Sequence, residues 1–207
     1  MVREEQIMVK ELSEMTVEEL WELFPIILKE YNTEYPKWYE KEKEKLEKTI
    51  DGGTIVRINH IGSTAIPGIV SKPTIDILME VSFSSNISRI TEKLKSTQWS
   101  LMNNSDKPNF KQTYNKGYTK YGFDEKVYHL HVRYADDWSE LYFKDYLNEY
   151  PEVARKYAEL KIQLKERFEH NRDAYTDAKE EFVGKYSKIA KELYGERYKI
   201  NTNISLT

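Results

Sequence analysis

Ile58-Asn-His-Ile-Gly-Ser-Thr-Ala-Ile-Pro-Gly-Ile-Val-Ser-Lys-Pro-Thr-Ile-Asp-Ile-Leu-Met-Glu-Val81 decides the fold. It reads as a strand over Thr54 to Ile61 that ends at Gly62-Ser63, a turn-rich connection, and a second strand over Thr74 to Val81. Side chains alternate along a strand. Ile75, Ile77, Met79 and Val81 therefore share a core face, while Thr74, Asp76, Leu78 and Glu80 share the other. Asp76 stands on the non-core face of a hydrophobic strand. Gly62 has no Cβ, so a phosphate can approach its backbone closely. Ser63 and Thr64 bring hydroxyl and N–H groups, and a turn that opens a helix adds partial positive charge.

The rest of the chain is consistent with a packed protein of one domain. Its 207 residues suffice for a core without disulfides or structural metal. Lys+Arg is 32 against 35 Asp+Glu, a net charge of -3, which argues against an electrostatic DNA binder. Tyr at 16, Phe at 7 and Trp at 4 argue against disorder. Cys is 0, which removes disulfides, thiolate nucleophiles and thiolate metal sites. The start, Met-Val-Arg-Glu-Glu, lacks an apolar h-region, and no run reaches transmembrane length, so a cytoplasmic location and no membrane partner are expected. Nothing in the sequence signals flavin, nicotinamide or haem.

Before the quoted block, Thr16 and Glu19 pair as a capping box for a helix carrying Leu20, Leu23 and Phe24. Ile26-Ile27-Leu28 reads as a strand or a second helical piece. Asn32 or Thr33 caps the next helix, with Pro36 near its start and Asp51-Gly52-Gly53 as its stop. After the block, Ile87 to Leu94 reads as a helix. Gln98 to Met102, Phe110 to Tyr114 and Val127 to Tyr134 read as strands, with a polar loop over Asn103–Asn109 and turns at Gly117 and Gly122. Leu141–Glu149, Pro151–Phe168 and Tyr175–Tyr194 read as helices. Residues 1–15 are expected as a tail or extra helix, 16–195 as the domain, and 196–207 as a tail. Within the domain, a sheet core spans about 24–135 and a helical half about 138–195.

The second chemical signal is His129-Leu-His131 on the last strand, where His129, His131 and Arg133 share a face. Two histidines so spaced lie about 7 Å apart at Cα. They bind one metal, pair through hydrogen bonds, or meet phosphate when protonated.

The quoted block resembles the GrpB family of the nucleotidyltransferase superfamily. Asn32-Thr-Glu-Tyr-Pro36, His129-Leu-His131, Phe143-Lys-Asp-Tyr-Leu147, Tyr157-Ala-Glu-Leu-Lys161 and Tyr175-Thr-Asp-Ala-Lys179 extend the likeness over roughly residues 16–195. The resemblance implies an α/β (α+β) fold with a nucleotidyltransferase-like mixed sheet and a helical carboxy-terminal half. In that superfamily two carboxylates, two residues apart, hold metal ions on the triphosphate. Here Asp76 matches the first and Leu78 occupies the second position. Glu80 is about 13 Å along the strand, too far to share an ion with Asp76. The departure puts a standard two-metal site in doubt.

The expected ligand is a nucleotide or other phosphorylated small molecule. The implied catalytic pair is Asp76 and Ser63, with Gly62, Ser63, Thr64, Lys72, Arg133 and Lys144 on phosphate. Asp76, His129 and His131 would hold a divalent metal: Mn²⁺, Fe²⁺, Ni²⁺ or Zn²⁺, with Mg²⁺ preferring more oxygen ligands. Arg155, Lys161, Arg172 and Lys179 are further basic candidates, set behind these because most such side chains face solvent. Three activities stay open: nucleotidyl or phosphoryl transfer, binding of a nucleotide or coenzyme-A metabolite without catalysis, and metal-dependent hydrolysis. Related sequences are fused to dephospho-coenzyme-A kinase, which suggests the coenzyme-A ligand. The plainer alternatives are that Asp76 pins the Gly-Ser turn and that the histidines bond Tyr or carboxylates. His60 reads as structural, and His170 as a contact at a helix end.

Overall fold

The computed structural model describes residues 10–50 and 53–200. Asp51 and Gly52, two of the three expected stop residues, lie outside the described residues, as do 1–9 and 201–207 of the expected tails.

Five strands form one mixed sheet: β1 (Ile55–Ile61), β2 (Thr74–Val81), β3 (Ser100–Ser105), β4 (Lys111–Thr119) and β5 (Gly122–Tyr134), in the order β1-β2-β5-β4-β3. Only β2 and β5 run parallel; the other neighbours are antiparallel. Helix α1 (Val17–Leu23) starts at Thr16, whose hydroxyl accepts from the Glu19 N–H while the Glu19 carboxylate accepts from the Thr16 N–H. That is the expected capping box. Ile26–Leu28 forms neither helix nor regular strand; the chain runs extended there and makes one antiparallel bridge, Lys29 to Ser71. Asn32 does not cap α2 (Tyr35–Thr49) directly. Its side chain accepts from the Glu34 N–H at 2.9 Å, turning the chain just ahead of the helix.

Helices α2 and α3 (Ile87–Lys95) cover one face of the sheet, packing Tyr39, Leu46, Ile90 and Leu94 onto Ile75, Ile77, Met79 and Val81. The helical half covers part of the other face with α4 (Ser139–Glu149), α5 (Pro151–Phe168), α6 (Arg172–Asp177) and α7 (Glu180–Tyr194). The fold is thus the expected α/β sheet with a helical carboxy-terminal half. Several boundaries move. The hairpin strands β4 and β5 run longer than their apolar segments, because backbone pairing continues through polar residues. Gly117 lies inside β4 at a bulge with φ 87°, and a Cβ there would meet the Lys126 carbonyl. β3 starts two residues later than expected and absorbs Asn103–Ser105 of the expected loop. The expected helix from Tyr175 to Tyr194 is two helices: Asn171 caps α6 by accepting from the Ala174 N–H, and the chain resets at Ala178-Lys179. Tyr198, in the expected tail, donates to Asp145 and stacks edge-on against Tyr142.

The face of β2 opposite the main core is largely buried as well. Leu78 is fully buried against Ile61 and Leu141, which docks α4 onto the sheet. Glu80, at 0% exposure, accepts two hydrogen bonds from Arg57, at 2.5 and 2.7 Å, and one from the Asp136 N–H. A buried carboxylate needs such compensation. Arg57→Ala removes it and should lower unfolding stability by about 3 kcal/mol, read as a lower midpoint in urea at unchanged slope. A loss below about 0.5 kcal/mol would mean that the pair is not what supports Glu80.

Candidate functional site

Parallel pairing of β2 with β5 puts Asp76 opposite His129 and Leu78 opposite His131. The Asp76 Oδ1 lies 3.0 Å from His129 Nδ1, and the other ring nitrogen, Nε2, lies 2.8 Å from the Tyr118 hydroxyl on β4. Arg172, at the start of α6, donates from Nη2 to the same hydroxyl at 2.9 Å. The directions follow from chemistry. Arginine only donates and an ionised carboxylate only accepts. With a neutral ring, Arg172 donates to the Tyr118 oxygen, Tyr118 donates to His129 Nε2, and His129 donates from Nδ1 to Asp76. Burial raises the pKa of Tyr118 and lowers that of His129 against the opposing pull of Asp76, so the proton stays on the phenol and the ring stays neutral. Asp76 is ionised: burial pushes it up, but the hydrogen bond from His129 outweighs this, together with the charge of Lys72 and the charges that His129 and His131 carry only at the low pH where Asp76 titrates, and it falls to about 2.

Gly62 makes room for that carboxylate. Its φ of 70° and ψ of -171° lie in a region that is essentially glycine-only, and an added Cβ would fall about 3.0 Å from Asp76 Cγ, closer still to Oδ2. Ser63–Ala65 then form one turn of 3₁₀ helix. Thr64 is buried within it. Its hydroxyl donates to the Thr74 carbonyl at 3.0 Å and meets His60 Nε2 at 3.0 Å, so it ties the turn to β2 and has no proton left for a phosphate. His60 is half-buried, stacks on Tyr39, and is pushed down to about 4 chiefly by desolvation. His170 lies 3.3 Å from Glu22 at the surface, not in the cleft.

The cations gather differently from the expected ranking. Lys72 lies in the charge field of Asp76, but Arg133 is bound to Glu140 at 2.6 Å and stacks on Trp138, and Lys144 is paired with Asp145 at 2.8 Å. Those two charges are already neutralised. Lys161 and Lys179, ranked lower, also lie in the field of Asp76, and Arg172, bound to the Tyr118 hydroxyl, adds its charge beside Lys72 and Lys179. Lys161 is 2% exposed and donates to the Val70 carbonyl. Lys179 sits in the break between α6 and α7, with its ammonium 4.3 Å from the ring centre of Tyr175. None of Lys72, Lys161 and Lys179 forms an ion pair among the described residues. Burial, and next the neighbouring cations, bring Lys72 and Lys161 down to about 7. Burial brings Lys179 to about 8, with Asp76 opposing and Arg172 adding. A sequence signal for Lys161 existed: it lies four residues after Tyr157 and three before Leu164, on the apolar stripe of α5. Tyr118 was not singled out, and its role rests on β4 pairing alone.

The expected Asp76-His129-His131 metal triad does not fit this arrangement. Both ring nitrogens of His129 are committed, one to Asp76 and one to Tyr118. Among the described residues no group of three or more His, Asp or Glu side chains is arranged to hold an ion. Leu78 adds hydrocarbon where the superfamily has its second carboxylate.

The GrpB protein family model matches residues 25–188, which contain every residue of this cluster. The chain belongs to the GrpB family. It is 34% identical over 162 residues to the glutamate-rich protein GrpB of Alkalihalophilus pseudofirmus, covering 76% of this chain and 91% of that protein. It is 29% identical over 177 residues to UPF0157 protein YqkA of Bacillus subtilis, covering 84% of this chain but only 50% of YqkA, so it spans about half of that relative. The crystal structure of conserved protein GrpB from Enterococcus faecalis superposes with a TM-score of 0.70 at 25% identity, over 81% of this chain and 99% of that one. No helix among the described residues is long and apolar enough to cross a membrane.

The fit of Gly62 against Asp76 is open to test. Gly62→Ala should destabilise the protein by about 1–3 kcal/mol in chemical denaturation. It should also break the Asp76–His129 bond, seen as a change in the His129 imidazole NMR signals. An alanine variant with wild-type stability and unchanged His129 signals would show that the close approach imposes nothing.

Proposed function

We propose that the cleft between the sheet and the helical half binds a phosphorylated small molecule, and that the site serves recognition rather than transfer. One observation carries this reading: Lys72, Lys161 and Lys179 lie in the field of a single carboxylate, Asp76, with Arg172 beside Lys72 and Lys179, and none of the four forms an ion pair among the described residues. Holding unneutralised cations together away from water is unfavourable. A polyanion relieves the repulsion and supplies the missing acceptors. Ser63 and the Tyr157 hydroxyl beside it add neutral donors at the Gly62 end.

Asp76 has a different part. At about 2 its pKa makes it a weak proton acceptor, whereas an efficient general base lies nearer the working pH. With hydrocarbon at Leu78, the geometry favours an orienting role: Asp76 holds His129, and through it Tyr118 and Arg172, toward the ligand. The superfamily likeness suggests a nucleotide or coenzyme-A metabolite as the ligand, because both carry clustered phosphates.

Tripolyphosphate is the simplest probe. Calorimetry should show binding that persists in EDTA and is lost in Lys161→Met/Lys179→Met. Failure of tripolyphosphate, ATP and coenzyme A all to bind, or unchanged binding by the double variant, would sink the proposal. Binding should also weaken as pH rises from about 6 to 9. Lysines with lowered pKa values carry charge below about 7 to 8 and lose it above. Proton uptake on binding, measured in buffers of different ionisation enthalpy, should accompany this near pH 7.5, since the anion draws the lysines back to the charged form.

Without ligand, the same lysines should cost stability. Lys179→Met relieves repulsion and removes no hydrogen bond seen among the described residues. It is expected to raise the Tm of the free protein by about 2–4 °C at pH 6.5 while weakening tripolyphosphate binding. An unchanged or lower Tm would mean that the cluster is not strained.

A further inference from the structure

A cavity of about 560 Å³ opens beside Lys72 and Arg172, bounded by the extended segment after α1, the start of α2 and the hairpin of β4 and β5. Its size is that of a small-molecule site. The cation cluster does not account for it: Lys72 and Arg172 lie at its edge, and the rest is of another character. The walls include the rings of Tyr35, Trp38 and Phe123. Trp38 and Phe123 are only partly buried, although both belong to otherwise packed aromatic groups. The rim on the hairpin side carries Asp124 and Glu125, both exposed. Aromatic walls, the cations Lys72 and Arg172, and the hairpin carboxylates Asp124 and Glu125 thus line one cavity, with Lys29 and Glu30 on the segment after α1.

That distribution selects a ligand. Ring faces favour a planar group, through stacking that any base can provide. Ionised carboxylates only accept hydrogen bonds, so they favour a ring bearing an amino group over one without. The cations set the direction: the anionic end must point to Lys72 and Arg172. Resting on the polyanion reading above, we propose that this cavity is the subsite for the ring of an amino-bearing nucleotide, with the ring against Trp38 and Phe123, its amino group toward Asp124 and Glu125, and its phosphates on the lysine cluster. The extended segment after α1 contributes to this subsite through Pro25 and Ile27, which line the cavity.

Three ligands separate this subsite from the phosphate site: tripolyphosphate, ATP, and purine riboside 5′-triphosphate, which lacks only the amino group. ATP should bind about tenfold or more tightly than tripolyphosphate, and more tightly than the purine riboside compound. Trp38→Ala should remove most of the advantage of ATP over tripolyphosphate and leave tripolyphosphate binding itself unchanged. Because Trp38 also packs in the fold, Asp124→Ala/Glu125→Ala, on the exposed hairpin, provides the second variant. It should bring ATP and the purine riboside compound to equal affinity. If tripolyphosphate binds but ATP binds no more tightly, or if the hairpin variant leaves the amino preference intact, the subsite is wrong and the phosphate site stands. If none of the three binds, the phosphate reading fails first.

Discussion

The hydrogen bond from His129 to Asp76 exists because β2 and β5 are parallel neighbours in a fixed register. Parallel pairing requires a long crossover, and here α3, β3 and β4 lie between the two strands in the chain. β5 therefore enters the sheet between β2 and β4, and one rung of the ladder brings together residues 53 positions apart. β4 brings Tyr118 from the other side of β5, and α6 brings Arg172 over the top. Four elements are joined through one neutral histidine. A slip of one residue would turn His129 to the apolar face of the sheet and put Tyr128 or Leu130 opposite Asp76. The apolar partners of those residues in the main core hold the register.

How much of this could be read in the sequence depended on whether the signal was local. The turn at Gly62, the alternation in Thr74–Val81 and the stripe on Pro151–Phe168 are local, and the structure keeps all three. Pairing partners are not local. Nothing near His129 in the chain announces Tyr118, and nothing near Arg133 announces that Glu140 neutralises it. The ranking of basic residues went astray for this reason. A lysine on a helix is usually solvated, and Lys161 departs from that rule because the Val70 carbonyl accepts its bond beneath the helix. The break at Lys179 was equally hidden, because Tyr175–Tyr194 carries a continuous apolar pattern across it.

Leu78 shows how one side chain bears on both packing and chemistry. A carboxylate at that position would face Ile61 and Leu141, in a pocket with no donor group of its own among those neighbours. Leucine fills it and docks α4 onto β1 and β2. The same leucine leaves Asp76 without a second anion, so the positive charges around it are not balanced from within the protein. Glu80, the next carboxylate along the same face, is withdrawn from the cleft by Arg57. Packing and charge thus lead to one result: a cleft with an excess of cations.

That excess stands against the charge of the whole chain. The protein carries a net charge of -3, yet the buried Lys161 and the half-buried Lys72 and Lys179 lie in the field of one aspartate. Acidic residues are plentiful on the surface, and α2 alone spaces the exposed Glu40, Glu44 and Glu47 among lysines. The local shortage is therefore a matter of placement and not of composition. Screening by salt acts on the exposed charges much more than on the buried ones. On the proposed reading, the long-range field of the molecule would repel an anion weakly, while the cations of the cleft would attract it over a few ångströms. On that reading, the site would suit a small ligand that fits inside better than an extended polyanion such as DNA.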